Sequence, residues 1–348
     1  MKRNIVKKLN QKKCDDFLPI LNRVFHMARF FGVSGAGVSL AFGWCLIMFA
    51  LLVGTIGVAI WRVATLRSAS NGIIARLAGA IFYSNGLMSL YLSSKFVHSW
   101  RTLSSYWLSM ETNTALAFPP DVKIKKRTIF ITAFVAVMAV VEHVLSMVSA
   151  TGFGFPIEEF FYRYVTLSHG FLMKTEEYTL WYAIPIFIVS KIGTILWNFQ
   201  DLIIILISMG LSSRYHRLNL YVSKVVTIEK RLEDKSRFGT ELYLQMQVWR
   251  RLREAYVRQS TLVRMIDRHL GSLVLLSNIN NLYFICLQIY LGIHKQSGGT
   301  IKRLYFLFSL SWLVFRACSV VLAASDVHLH SRRALKCLHS CPSAAYNV

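Results

Sequence analysis

Apolar residues in this chain fall into long runs rather than short periodic patches. Six stretches approach or exceed the ~20 residues that an α-helix needs to cross about 30 Å of hydrocarbon. They are Leu40 to Trp61, Gly72 to Ser93, Thr128 to Ser149, Trp181 to Leu211, Leu270 to Ile293 and Leu304 to Ala324. The first and fifth contain no charged residue. The pattern predicts an all-α polytopic membrane protein built as one helical bundle. Its expected parts are an N-terminal cytoplasmic segment over 1–39, spans one to four within 40–211, a cytoplasmic helical region over 212–269, spans five and six within 270–325, and a cytoplasmic segment over 326–348.

A second pattern runs along the longest polar stretch. Leu242, Gln245, Trp249, Leu252, Tyr256, Gln259, Val263, Ile266, Leu270 and Leu273 follow one another in steps of three and four, and that seam continues into the fifth span. With no proline in 242–293, a single helix of roughly 78 Å is predicted at 1.5 Å per residue. Part of it must stand outside the membrane. Trp249, Leu252, Tyr256, Val263 and Ile266 either pack against neighbouring helices of the same chain or form a base that joins subunits. The fourth stretch, 31 residues from Trp181 to Leu211, is also too long for a simple crossing, so it must tilt or project inward.

Composition agrees with membrane insertion: 54% of residues are hydrophobic and 16% charged. The formal net charge of +23 raises nucleic acid as a partner, but its distribution speaks for a membrane instead. Of the 40 Lys and Arg residues, 30 lie in segments that share a side with the N-terminus, seven lie in the opposite loops, and Arg76, Lys191 and Arg316 lie within spans. The positive-inside rule therefore places both ends of the sequence in the cytosol. The basic start "MKRNIVKKLNQKK" is not followed closely by an apolar run, so no cleaved signal peptide is expected and the first span serves as its own anchor. Cys14, Cys337 and Cys341 fall in cytoplasmic segments and Cys45, Cys286 and Cys318 in spans, which excludes an outer disulfide framework. "CLHSC" lacks the second ligand pair of a zinc site, and no metal or cofactor is expected.

The polar residues inside the spans are the candidate chemistry, because such groups usually face a bundle interior or a water-filled cavity. Lys191, Thr194, Asn198 and Asp201 form one stripe, flanked by Trp197. Glu142, Ser146 and Ser149 form another beside His143. Ser277, Asn281 and Gln288, near Tyr283, line the fifth span, and Ser309, Trp312 and Arg316 the sixth. With Trp181, the candidate ligand-binding residues are Glu142, His143, Trp181, Lys191, Trp197, Asn198, Asn281, Tyr283, Gln288, Trp312 and Arg316. Carboxylates and amides suit a polyhydroxylated ligand, and indole faces suit the C–H side of a sugar ring. The same groups also serve as interhelical hydrogen bonds. The loop 150–180 carries Glu158, Glu159, Glu176 and Glu177 against Arg163 and Lys174. It is read first as an ordinary solvated loop and second as an acidic vestibule that concentrates cations. No metalloprotease, nucleophile-elbow, nucleotide-binding or glycosylation motif occurs, so an enzyme is not expected.

Three segments carry a resemblance: "LSNINNLYFICLQIY", "FSLSWLVFRACSVVLAASDVHLHSRRALKCLHSCPSAAYNV" and "LWNFQDLIIILISMGLSSRYHRLN". "EHVLS" and "SWRTLSSYWLSMET" add weaker likeness. Through them the sequence resembles the insect gustatory receptor family, and within it the sugar receptors. The resemblance implies a seven-span subunit with a cytoplasmic N-terminus, a ligand pocket in the outer half of the bundle, and a cytoplasmic anchor joining subunits. It further implies a homo- or hetero-tetrameric, sugar-gated cation channel in the plasma membrane of taste neurons, and a last pore-lining helix with a Tyr and a Gln-Phe after "CPSAAYNV". The sequence ends there, at Val348, and six of the seven implied spans are expected in it. A solute transporter is the alternative; the missing internal inverted repeat counts against it. A G-protein-coupled receptor would need the opposite N-terminal orientation.

Overall fold

The structure, a computed structural model, describes residues 16–35, 40–65, 70–112, 120–152, 156–173, 175–233, 240–294 and 299–339. Cys14, Cys341 and the rest of "CLHSC" beyond His339 lie outside these residues, as do 1–15 and 340–348. Among the described residues the regular structure is wholly helical. We number the helices α1 (Phe17–Ala28), α2 (Leu40–Thr65), α3 (Ser70–Thr112), α4 (Ile124–Thr151), α5 (Ile157–Ser168), α6 (Leu180–Glu233), α7 (Thr240–His294) and α8 (Thr300–His339). The unbroken seam of the fifth span does form one helix, α7, and the long fourth stretch continues well past Leu211 as α6.

Helix α6 is the centre of the bundle. Its run Leu202 to Ile207 is apolar on every side, so it must be enclosed all round. It packs against α2, α3, α4, α5, α7 and α8. By contrast, α2 and α4 turn Trp44, Ile47, Val53, Ile60, Phe130 and Val140 outward. Apolar surface on that scale belongs against lipid. Among the described residues five helices, α2, α4, α6, α7 and α8, hold a stretch long and apolar enough to cross a membrane. The sixth predicted stretch lies in α3, which is not among the five. Its inward face is polar: Asn85, Ser89 and Ser93 are buried, and Ser89 Oγ donates to the Leu196 carbonyl on α6 at 3.0 Å. A helix that faces the bundle interior with serines and asparagine scores low on hydropathy even when it is enclosed.

The amphipathic helix α1 lies along the 96–107 stretch of α3. Phe17, Leu21, Phe25 and Ala28, at helical spacing, are buried. Phe17 stacks on Trp107 at 5.2 Å, Phe25 meets Trp100 edge-on at 5.4 Å, and Trp100 Nε1 donates to Asn22 Oδ1 at 2.8 Å. The helix and its short 3-10 extension stop at Gly32, whose φ of 89° is left-handed. Gly32 N bonds Arg29 O and Val33 N bonds Ala28 O, the paired closure of a glycine C-cap.

Gly210 on α6 lets Phe17 and Trp107 approach. A Cβ there would stand 2.5 Å from the Phe17 ring and 3.0 Å from that of Trp107, both fully enclosed. Gly210→Ala is expected to lower stability by about 1–3 kcal/mol in thermal unfolding of the purified chain. Gly43→Ala, where a Cβ meets nothing within 4 Å, should be neutral or stabilising in the same assay.

Candidate functional site

The seam residues find partners within the chain. Trp249 and Leu252 are buried with Tyr215, Leu218 and Val222 of α6, and Tyr256 packs against the same group. Ile266 joins the main core, and Val263 touches both clusters.

The spans bring together one fully buried ionic cluster. Asp201 of α6 and Arg316 of α8 are each almost sealed from solvent, with Arg316 Nε 3.0 Å from Asp201 Oδ2. That contact is an ion pair whose N–H is poorly aligned for a hydrogen bond. The hydrogen bonding runs through neighbours instead. Arg316 donates to Asn198 Oδ1 at 2.8 Å and to Asn281 Oδ1 at 3.2 Å. Ser277 Oγ donates to Asp201 Oδ1 at 2.5 Å, and Asn281 Nδ2 lies 3.4 Å from Asp201 Oδ2. Trp197 closes the ring: its Nε1 donates to Asn281 Oδ1 at 3.1 Å, and the Arg316 guanidinium lies over its indole at 4.7 Å. Desolvating two charges is costly, so such a pair persists only when its remaining donors and acceptors are matched, as they largely are here. It fastens α6, α7 and α8 to one another.

The other predicted residues separate into further groups. Ser309 Oγ of α8 donates to Glu142 Oε1 of α4 at 2.8 Å and accepts from Gln288 Nε2 of α7 at 3.0 Å. Trp312 is buried beside this group, stacked on Phe315 and edge-on to Phe134, with Nε1 unpartnered. His143 Nε2 is also buried without a partner. Tyr283 meets Phe284 edge-on, whereas Trp181 is 88% exposed and touches none of these groups.

Lys191 belongs to a network that position in the sequence did not reveal. Its Nζ donates to Tyr164 Oη at 3.2 Å and sits over the Tyr164 and Phe187 rings at 4.5 and 4.2 Å. Tyr164 Oη also meets His169 Nε2 at 3.2 Å and Ser190 Oγ at 3.3 Å, and Tyr83 Oη lies 3.5 Å from His169 Nδ1. Tyr164 and His169 come from the loop 150–180, which therefore folds into the bundle. Two of its acids are paired, Glu159 locally with Arg163 and Glu177 across to Arg62 of α2.

Burial, with Lys191 and His143 nearby, holds the His169 imidazole down at about 3. Between that value and the ordinary 6.5 the unfolded segment binds a proton that the folded one refuses, so stability rises with pH up to about 6.5 and is flat above. Lowering the pH to 5 is expected to cost about 2 kcal/mol of local stability. Hydrogen exchange across 164–173 checks this, and His169→Phe should remove the pH dependence.

Two sizeable cavities flank these groups. One, of about 570 Å³, lies between α2 and α6, with Leu51, Val58, Met173 and Ile186 among its walls. Two of its polar groups are engaged: Thr55 Oγ1 donates to Leu51 O, and Glu177 pairs with Arg62. The other, of about 500 Å³, is lined by Gly79, Phe82, Tyr83, Ser168, His169, Phe171 and Phe284, among others. That volume suits a small organic ligand, and the wall combines aromatic faces with a few polar groups. None of the eleven predicted residues lines either cavity. Trp197 stands directly behind the second, 4.7 Å from the Phe284 ring and 6.1 Å from that of Phe82. The sequence gives no sign of the contributions of Phe82, Tyr83 and Phe284, because aromatic residues on apolar helices carry no spacing signal that separates cavity wall from core, nor of His169 and Phe171, which lie in a loop with no periodicity at all.

A multi-pass helical bundle in which an aromatic cavity rests on a buried ionic cluster is the architecture of a polytopic membrane protein with room for a small ligand. The whole chain, residues 1–348, matches the family model described as trehalose receptor, and it belongs to that family of insect gustatory receptors. Among similar curated proteins of Drosophila melanogaster, the gustatory receptor for sugar taste 64a is 27% identical over 80% of this chain and 60% of its own length. The gustatory receptor for sugar taste 64f is 26% identical over 99% of this chain and 75% of its own. Gustatory receptor 5a for trehalose is 29% identical over 64% of this chain and 47% of its own. The chain thus spans between about half and three quarters of the length of these relatives. The insect olfactory receptor OR5 from Machilis hrabei shares the fold, with a TM-score of 0.57 at 12% identity over 91% of this chain and 82% of that one.

Proposed function

We propose that this chain is a subunit of a sugar-gated cation channel that detects sweet taste, a homo- or hetero-tetramer in the plasma membrane of taste neurons. In this reading α3 is a sixth span and the N-terminus is cytoplasmic, in keeping with the charge distribution. The region 212–269 serves as the cytoplasmic anchor through which subunits meet. A sugar sits in the cavity of about 500 Å³, its C–H faces against Phe82, Phe171 and Phe284 and its hydroxyls toward Tyr83, Ser168 and His169. Trp197 relays its presence to the Asp201–Arg316 cluster, shifting the packing of α6 against α7 and α8. Glu142, Gln288 and Trp312 form a second polar group that supports the same helices.

The observation that carries this reading is the continuity from cavity to ionic cluster through one indole. Gly79 gives a direct test. A Cβ there would stand 2.3 Å from the end of the Phe171 ring, so a larger residue pushes that ring into the cavity. Gly79→Val is expected to reduce sugar-evoked current at least tenfold with surface expression intact. An unchanged dose response would remove the cavity from the account. Saturable uptake of labelled sugar without current would instead favour a transporter.

A further inference from the structure

Helix α4 opens on a basic cluster that none of the groups described above uses. Lys123 at the N-cap, Lys126 and Arg127 are exposed, and among the described residues none of the three makes an ion pair. Lys125 differs: it turns to Asp16, just ahead of α1, at 3.5 Å. Asp121, the other acid near this end, is engaged by Ser213 Oγ of α6 at 2.7 Å and by the Lys123 backbone N–H at 2.9 Å. The first turn of α4 holds no acidic residue, and its N-cap makes no side-chain hydrogen bond.

What sets the three cations apart is the face they share. At 3.6 residues per turn, Lys123, Lys126 and Arg127 stand on the same side of α4 as Phe130, Val137 and Val141. These apolar side chains are exposed, Phe130 by 68% and Val137 by 60%, on a helix apolar enough to cross a membrane, so their stripe faces lipid. Lys125 stands on the far side. Glu142, the one acid between 124 and 151, turns inward to Ser309. Charge near the end of a span is enough to orient it, wherever on the helix it stands. Three unpaired cations in line with the lipid-facing stripe go beyond that requirement. They repel one another within a single turn, and the positive end of the helix dipole adds to them. The arrangement therefore suits several negative charges supplied from outside the chain. A phospholipid offers acyl chains to the stripe and phosphate to the cations. A polyphosphorylated headgroup matches a cluster of this charge, whereas a singly charged one leaves most of it uncompensated.

We infer that the start of α4 binds a phospholipid of the phosphoinositide class, its phosphates among Lys123, Lys126 and Arg127 and its acyl chains along Phe130 and Val137. A headgroup there bears on the contacts that Asp121 makes with α6 and Lys125 with Asp16, and so links lipid content to the packing of the bundle. The site shares no residue with the aromatic cavity. With the N-terminus cytoplasmic, as proposed above, the cluster meets the leaflet that carries such lipids. Micelles expose both ends of the bundle, so the test does not depend on that orientation.

The test is thermal unfolding of the purified chain in neutral detergent micelles doped with phosphatidylinositol bisphosphate, or with phosphatidylserine at equal negative charge, or supplied with soluble inositol trisphosphate. The expected result is a saturable rise in Tm of about 2 °C with the bisphosphate lipid at roughly ten times its Kd, and little change with the other two. The surface variant Lys123→Gln/Lys126→Gln/Arg127→Gln should lose that rise while keeping the parent Tm in undoped micelles, and Lys125→Gln should retain it. A bisphosphate lipid with a photoreactive acyl chain should label the peptide that holds Phe130 and Val137. An equal rise with phosphatidylserine would overturn the inference by reducing the cluster to general surface charge. A full rise with inositol trisphosphate would do so by showing a soluble ligand, and a rise that survives the triple variant by placing the lipid elsewhere.

Discussion

Replacing Arg316 with methionine is expected to cost about 3–5 kcal/mol of stability, because it strands the Asp201 carboxylate in the interior with Ser277 and Asn281 as its remaining donors. Both side chains of the pair are nearly inaccessible, so no solvent enters to compensate. Asp201→Leu alone should cost a comparable amount by leaving a buried guanidinium with no counter-charge beside it in the pair, held by Asn198, Asn281 and the Trp197 ring face. The double variant Asp201→Leu/Arg316→Met removes both charges and should recover most of the loss. Thermal unfolding of the four proteins measures the coupling, and additive single losses would show that the two charges do not interact. The double variant is expected to fold yet respond weakly to sugar, since the joint between α6 and α8 no longer depends on a charge pair that Trp197 touches.

Trp197→Ala is expected to abolish sugar-evoked current, the largest functional effect of any single change outside the cavity wall. The indole contacts the wall through Phe82 and Phe284 and the ionic cluster through Asn281 and Arg316. Alanine severs both sides. Trp197→Phe separates them, because phenylalanine keeps an aromatic face for Phe284 and Arg316 but has no Nε1 to donate to Asn281. One neutral hydrogen bond is worth about 1 kcal/mol, so this variant should fold normally and bind sugar with near-normal affinity. Its maximal current should nonetheless fall severalfold. A Trp197→Phe receptor with wild-type current would show that the Asn281 bond plays no part in coupling.

How much of this was legible beforehand differs between fold and site. Runs such as Leu40 to Trp61 and the seam from Leu242 to Leu273 predicted their helices because length and period are local properties of a sequence. Arg316 and Asn281 were also visible, since a charge or an amide in a span must find partners. Which partner each finds is a matter of tertiary geometry. Asp201 stood in a stripe with Lys191, yet Lys191 turns to Tyr164 while Asp201 turns to Arg316 on another helix. The loop 150–180 was harder still, because His169 and Phe171 look like any loop residues until the loop is seen folding back over α3. Trp181, chosen for its indole, points away from the bundle. A residue at the end of a span has no periodic neighbours on both sides to fix its face.

The most direct test of the central claim is equilibrium binding of labelled trehalose to the purified chain and to its Phe171→Ala, Trp197→Phe and Gln288→Ala forms. The account predicts saturable binding that is weakened at least tenfold by Phe171→Ala and little changed by the other two. Binding that survives Phe171→Ala but is lost in Gln288→Ala would place the sugar among α4, α7 and α8, and would contradict the cavity lined by Phe82, Tyr83 and His169 as its seat.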